Sequence, residues 1–171
     1  MYSLHINHNV GSPMKNEKLP PEHHVVRYVP FGKLRKDEDD NPIGVLGAAF
    51  KLRDSEQYLS TTWLEYFAAP RRDQITAAIQ AVRASRLSVR AKSGFAIGRI
   101  GAIAATYAEH GHGIRIIHEP EDDNKAHAAV RRMPRDDEEL LELLAAESWS
   151  ELILNADVTA GVHPAPDKQA S

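Results

Sequence analysis

The apolar positions of this chain change period several times, and each change marks an element. His24-Val25-Val26-Arg27-Tyr28-Val29 is β-branched and aromatic and closes at Pro30, which predicts a strand. Behind Pro70, Ile75, Ala78, Ile79 and Val82 recur at i, i+3, i+4 and i+7, which predicts a helix ending near Ser85 to Ser88. Ile100, Ile103, Ala104 and Tyr107 form a second stripe. It predicts a helix from Ser93 or Gly94 to Glu109, stopped by Gly111 and Gly113. Ile114 to Ile117 reads as a strand and Ala128 to Met133 as another. Asp136 to Leu154 reads as one helix, with acids in the first turn that suit the positive end of the helix dipole. Leu140, Leu141, Leu144, Trp149, Leu152 and Ile153 supply its core face. From Ile43 to Phe67 the period is mixed, and the segment fits strand or helix alike.

Strands come first, then two helices, a strand pair and a last helix. Strict alternation is absent, which predicts an α+β fold: a small, mainly antiparallel or mixed sheet with about three helices packed on it. Prolines and glycines without periodicity mark both ends. Residues 1–21 are expected to form a flexible arm, 22–155 a single domain and 156–171 a flexible tail. His5 and His8 fall in the arm and read as incidental. At 171 residues the chain has the size of one domain and can bury a core without staples.

Composition narrows the function classes. The formal net charge of -3 gives no global field toward nucleic acid or membrane, while leaving room for a local basic patch. The absence of cysteine removes disulfide scaffolds, thiol nucleophiles, zinc ribbons and iron–sulfur clusters. No apolar run approaches the roughly twenty residues that span a bilayer. The expected location is therefore the cytoplasm, with no membrane association.

The chemistry-bearing residues gather at strand ends. Ile114-Arg115-Ile116-Ile117 runs into His118-Glu119-Pro120, an acidic loop follows, and His127 opens the next apolar segment. If the loop is a hairpin, His127 returns toward His118. Two imidazoles and the Glu119 carboxylate can then share acid–base work or hold a divalent metal, although the spacing matches no standard metal motif. His23 and Arg27 share one face of the first strand and His24 the other, and Arg27 offers a bidentate fork to an anionic oxygen. Ser60-Thr61-Thr62 offers hydroxyls; a serine nucleophile there needs a base from His23, His24, His118 or His127, and no G-x-S-x-G elbow is present. Glu65 sits among Trp63 and Tyr66. Lys92-Ser93-Gly94 ahead of the second stripe is a candidate phosphate site at a helix N-terminus. Arg71, Arg72, Arg83, Arg86, Arg90 and Lys92 make a basic flank, for which pairing with the acids of the last helix is the simpler account.

Two readings follow. In the first, the chain is a small hydrolase or transferase acting on a phosphate-bearing nucleotide or nucleic acid. His118, His127 and Glu119 carry the chemistry, and Arg27, His23 and His24 bind substrate. In the second, the absence of any complete catalytic motif points to a non-catalytic subunit, adaptor or antitoxin-like partner in a bacterial multi-protein system. Convergence of His118, His127 and Arg27 on one concavity separates the two.

Overall fold

The first strand, β1 (His24–Val29), lies near the middle of a sheet covered on both faces. The computed structural model describes residues 16–158; the expected arm as far as residue 15, with His5 and His8, and the expected tail from residue 159 lie outside the described residues. The further strands are β2 (Leu34–Lys36), β3 (Pro42–Val45), β4 (Tyr58–Trp63), β5 (Gly94–Arg99), β6 (Arg115–His118), β7 (His127–Arg131) and β8 (Glu151–Leu154). The helices are α1 (Arg71–Ala84), α2 (Ile100–Glu109) and α3 (Glu138–Glu147). Six strands make one sheet in the order β6-β7-β4-β1-β5-β8, every neighbouring pair antiparallel, and β2 and β3 form a separate hairpin. The protein is therefore of the α+β class.

Strand alternation sorts the core into two layers. Val25, Val29, Leu59, Trp63, Ala96, Ala128 and Val130 pack with α2 and α3 on one face. Val26, Phe95 and Ile97 meet Ala78, Ile79 and Val82 of α1 on the other. Asp137 caps α3 by accepting from the Leu140 amide at 3.1 Å, with Glu138 and Glu139 in the first turn as the dipole favours. No helix among the described residues is long and apolar enough to cross a membrane.

Two expected helices are shorter than their sequence pattern. Residues 94–99 form β5 rather than the start of α2. Gly94 to Gly98 are all buried, so the strand shows no polar alternation to betray it. A Cβ on Gly98 would lie 2.8 Å from Ile103 Cδ1 and 2.9 Å from the Ser148 carbonyl oxygen, so the residue is glycine because α2 and α3 approach the strand there. The expected helix over 136–154 stops at Glu147, and residues 151–154 form the edge strand β8. Ser148 turns the chain, its hydroxyl 2.8 Å from that of Thr106, and Trp149 stacks on Phe50 at 4.6 Å. Leu152 then joins the α2/α3 layer and Ile153 the α1 layer, a two-sided strand whose apolar pair mimics a helical stripe. The ambiguous segment 43–67 resolves into β3, a 3-10 turn over Gly47–Phe50, β4 and a 3-10 turn over Leu64–Tyr66.

At the other edge, Asn16 donates to the His118 carbonyl at 2.7 Å and Leu19 to that of Ile116 at 3.0 Å. Residues 16–19 thus cover the outer side of β6, and Leu19 is buried.

Candidate active site

Strands β1 and β4 pair only at Val25–Trp63 and Val26–Thr62, whereas β1 pairs with β5 along all six of its residues. Beyond Val26 the backbone groups that would have continued the ladder meet a side chain. Arg27 donates from Nη1 to the Ser60 carbonyl at 3.0 Å and from Nε to the Ala49 carbonyl at 3.1 Å. No carboxylate lies within 4.0 Å of its guanidinium among the described residues. Burial pushes the Arg27 pKa down to about 10; nearby Glu56 raises it and Arg53 lowers it. It stays charged at neutral pH, a desolvated cation held by carbonyls alone.

Next to it, β4 and β7 pair Thr62 with His127 and Ser60 with Ala129, so Ser60, Thr62 and His127 share one face. His127 Nδ1 lies 2.7 Å from the Glu119 carbonyl oxygen. A carbonyl only accepts, so Nδ1 carries the proton and Nε2 of the neutral ring is an acceptor. The atom facing Nε2, at 2.9 Å, is Ser60 Oγ. His127 is buried and Ser60 is exposed. Glu121 lies 3.6 Å from the same Nε2, and its carboxylate accepts from the Tyr58 hydroxyl at 3.2 Å. Burial, then the Glu121 charge and hydrogen bond, raises the Tyr58 pKa.

Ser60 and His127 lie on the α1 face of the sheet; Arg27 alternates with Val25 and Val29 on the opposite face and reaches the gap where β1 and β4 part, so that all three border one cavity of about 330 Å³. Its remaining charges are largely paired: Arg53 with Glu56 at 2.7 Å and Arg86 with Asp123 at 3.3 Å. Burial raises the Glu56 carboxyl, but hydrogen bonds from Arg53 and the charges of Arg53 and Arg27 outweigh it, so its pKa is low. Asp123 Oδ1, also in this cavity, is buried without a hydrogen-bond partner. The cavity therefore offers a guanidinium held by carbonyls, an unmet acceptor and a serine hydroxyl hydrogen-bonded to an imidazole.

Of the six residues expected to form the site, Arg27 and His127 come together here, joined by Ser60; His118, Glu119, His23 and His24 do not, so the expected convergence of His118 with His127 and Arg27 is not met. Glu119 contributes its backbone carbonyl, while its carboxylate receives Arg131 through two bonds of 2.5 and 2.6 Å. His118 pairs in register with Ala128, the neighbour of His127, so the two imidazoles point to opposite faces of the sheet. Its Nε2 donates to the Lys125 carbonyl at 2.9 Å, and its ring packs against Trp63 and Tyr66. His23 accepts from Trp63 Nε1 at 3.1 Å and stacks on that indole, and His24 meets Glu65 at 2.6 Å. Among the described residues no group of three or more His, Asp or Glu is placed to hold a metal ion.

The other candidates have local roles. Ser93 precedes a strand, not a helix, and its hydroxyl donates to the Arg90 carbonyl. The basic flank finds partners outside α3: Arg71 meets Glu151, Arg83 meets Asn155 and Arg86 meets Asp123. The Ser60–His127 pairing is the feature that sequence reasoning underweighted. Its signal was the alternation of 58, 60 and 62 on one strand, but the base depended on knowing that β4 pairs with β7. Comparison with known proteins finds no match: no family model, no curated protein and no solved structure matches this chain.

Proposed function

We propose that the protein is a small hydrolase or transferase acting on a phosphate-bearing ester, with Ser60 as nucleophile, His127 as general base and Arg27 as the anion-holding group. One observation carries this reading: an exposed serine hydroxyl 2.9 Å from a buried imidazole whose proton is fixed on the far nitrogen by a carbonyl. That is the arrangement of an activated nucleophile, a base in reach and a third group orienting the base. The Arg27 guanidinium on the cavity supports an anionic ester such as a phosphate. Arg27 donates to the backbone carbonyl of Ser60, which brings a guanidinium to the residue that carries the attacking atom.

The steps balance within these residues. Ser60 Oγ attacks phosphorus as its proton passes to His127 Nε2. The bond to the leaving oxygen breaks, and the imidazolium returns the proton to that oxygen. Water, or an acceptor hydroxyl in a transferase, then releases the phosphoryl group from Ser60 by the reverse sequence. Glu121, 3.6 Å from Nε2, is the counter-charge for the imidazolium. Arg27 stabilises the phosphoryl oxygens. The remainder of the cavity, with Tyr28 and Leu87 on its walls, accommodates the organic part of the ester.

The test is turnover of chromogenic phosphate monoesters and diesters and of nucleotides by the purified protein. Activity in the wild type that is lost in Ser60→Ala supports the reading. Equal turnover by both proteins, or none by either, overturns it.

A further inference from the structure

Arg35, Arg53, Arg71, Arg86 and Arg131 are matched, each by a carboxylate. Three exposed arginines on one side of the sheet are not. Arg115, Arg132 and Arg135 have no carboxylate within 4.0 Å among the described residues. All three line a second cleft, of about 470 Å³, together with Arg131. Within it Arg115 and Arg131 stand directly opposite each other across β6 and β7. Like charges at facing strand positions repel, and only Arg131 is neutralised, by Glu119. Arg132 adopts a left-handed backbone, φ 63°, which costs energy for a residue with a side chain. This concentration of positive charge runs against a chain whose formal net charge is -3.

Sheet register links the cleft to the first cavity. Arg115, Arg131 and Tyr58 form one row across β6, β7 and β4, and Ile117, Ala129 and Ser60 form the next. Rows on one face are two residues apart, about 7 Å along the strand. Arg131 lies over the Tyr58 ring at 4.6 Å, and Arg135 holds the carbonyls of Arg53 and Glu56 on the cavity rim. Leu52, Ile117 and Met133 give the cleft an apolar component among the guanidinium groups.

We infer that this cleft binds the phosphodiester backbone of single-stranded nucleic acid, in a site separate from the Ser60 cavity and adjoining it. The arginines take phosphates, and the guanidinium planes, with Met133 beside them, take unstacked bases. A duplex is disfavoured because reading it needs a convex element to enter a groove, whereas this surface is concave. An acidic protein would satisfy the charges but would leave the apolar surface without bases to stack.

The experiment is fluorescence anisotropy with a labelled single-stranded oligothymidylate of about 12 nucleotides, within the usual site size, titrated at several salt concentrations. The variant is Arg115→Glu/Arg132→Glu, because neither side chain has a hydrogen bond to lose among the described residues, with Arg115→Ala/Arg132→Ala as the second variant and thermal melting as the folding check. Affinity is expected to fall at least about tenfold, and the slope of log K against log salt by about 1.4, for two phosphate contacts. Ser60→Ala is expected to bind like the wild type. No binding by the wild type, unchanged binding by both cleft variants, or equal binding of polyglutamate overturns the inference. It stands or falls apart from the Ser60 chemistry. Oligonucleotide binding lost in the cleft variants, with no ester turnover by the wild type, keeps the cleft and removes the nucleophile. Turnover lost in Ser60→Ala, with binding unchanged in the cleft variants, does the reverse.

Discussion

His118 and His127 stand on paired neighbouring strands, and each gives one ring nitrogen to a backbone carbonyl. Their second nitrogens differ. That of His127 faces the hydroxyl of an exposed serine in an open cavity that Arg27 also borders. That of His118 is buried without a hydrogen-bond partner, with its ring against Trp63 and Tyr66. On the proposed reading, the same side chain is a base in one place and packing in the other. What separates them is the face of the sheet. One face opens where β1 and β4 part; the other is closed around Trp63.

The largest expected effect breaks this contrast most directly. Ser60→Ala and His127→Ala should each lower turnover of a phosphate ester by about 10⁴-fold or more, as removal of a nucleophile or its base does. His118→Leu should leave turnover within about twofold, because its ring points to the other face. Steady-state kinetics on the three proteins checks both halves; comparable losses in His118→Leu and His127→Ala would erase the distinction.

Arg27→Met comes next. Loss of charge-assisted hydrogen bonds worth about 1.5–3 kcal/mol should lower kcat/KM for an anionic ester by roughly 10- to 150-fold. Arg27→Lys should restore little, since an ammonium lacks the planar fork that reaches two carbonyls and a phosphate together. A full rescue by lysine would mean that charge alone, and not geometry, is what the cavity requires.

Trp63→Phe sharpens the other side of the comparison. It removes the Nε1 bond to His23 and should cost about 1 kcal/mol of stability in urea unfolding, with turnover unchanged. A loss of activity without loss of stability would assign the Trp63 cluster a part in the chemistry.

The smallest effect concerns pH. The Glu56 carboxyl titrates below its ordinary range in the folded protein, because the Arg53 bonds and the Arg53 and Arg27 charges outweigh the burial that raises it. A depressed carboxyl contributes stability above the ordinary carboxylate range and loses it as pH falls through the folded value. Glu56→Gln should therefore be less stable than the wild type near neutrality, with the gap closing in acid. Melting curves from neutral to acidic pH would show it; a gap that widens in acid would have the wrong sign.

Much of this architecture was legible in the chain. The strand at 24–29 and the stripe at 75–82 carry undiluted periods and became β1 and α1. β5 and β8 were hidden for a physical reason. A strand buried on both faces has no alternation, and the adjacent apolar pair Leu152 and Ile153 looks the same whether it serves two faces of a sheet or one face of a helix. The site was legible only as parts. Arg27, Ser60 and His127 were each visible as chemistry-bearing residues. Their meeting depends on strand order, on a register between residues 67 positions apart, and on the early parting of β1 from β4. None of these is a local property of sequence.

The most direct test of the central claim, that His127 activates Ser60, is labelling with a fluorophosphonate, a phosphorus electrophile that reports serine nucleophilicity without a known substrate. Mass spectrometry should find one adduct, on Ser60, in the wild type and none on that residue in a folded His127→Ala variant. An unlabelled wild type, or equal labelling of Ser60 with and without His127, would contradict the account.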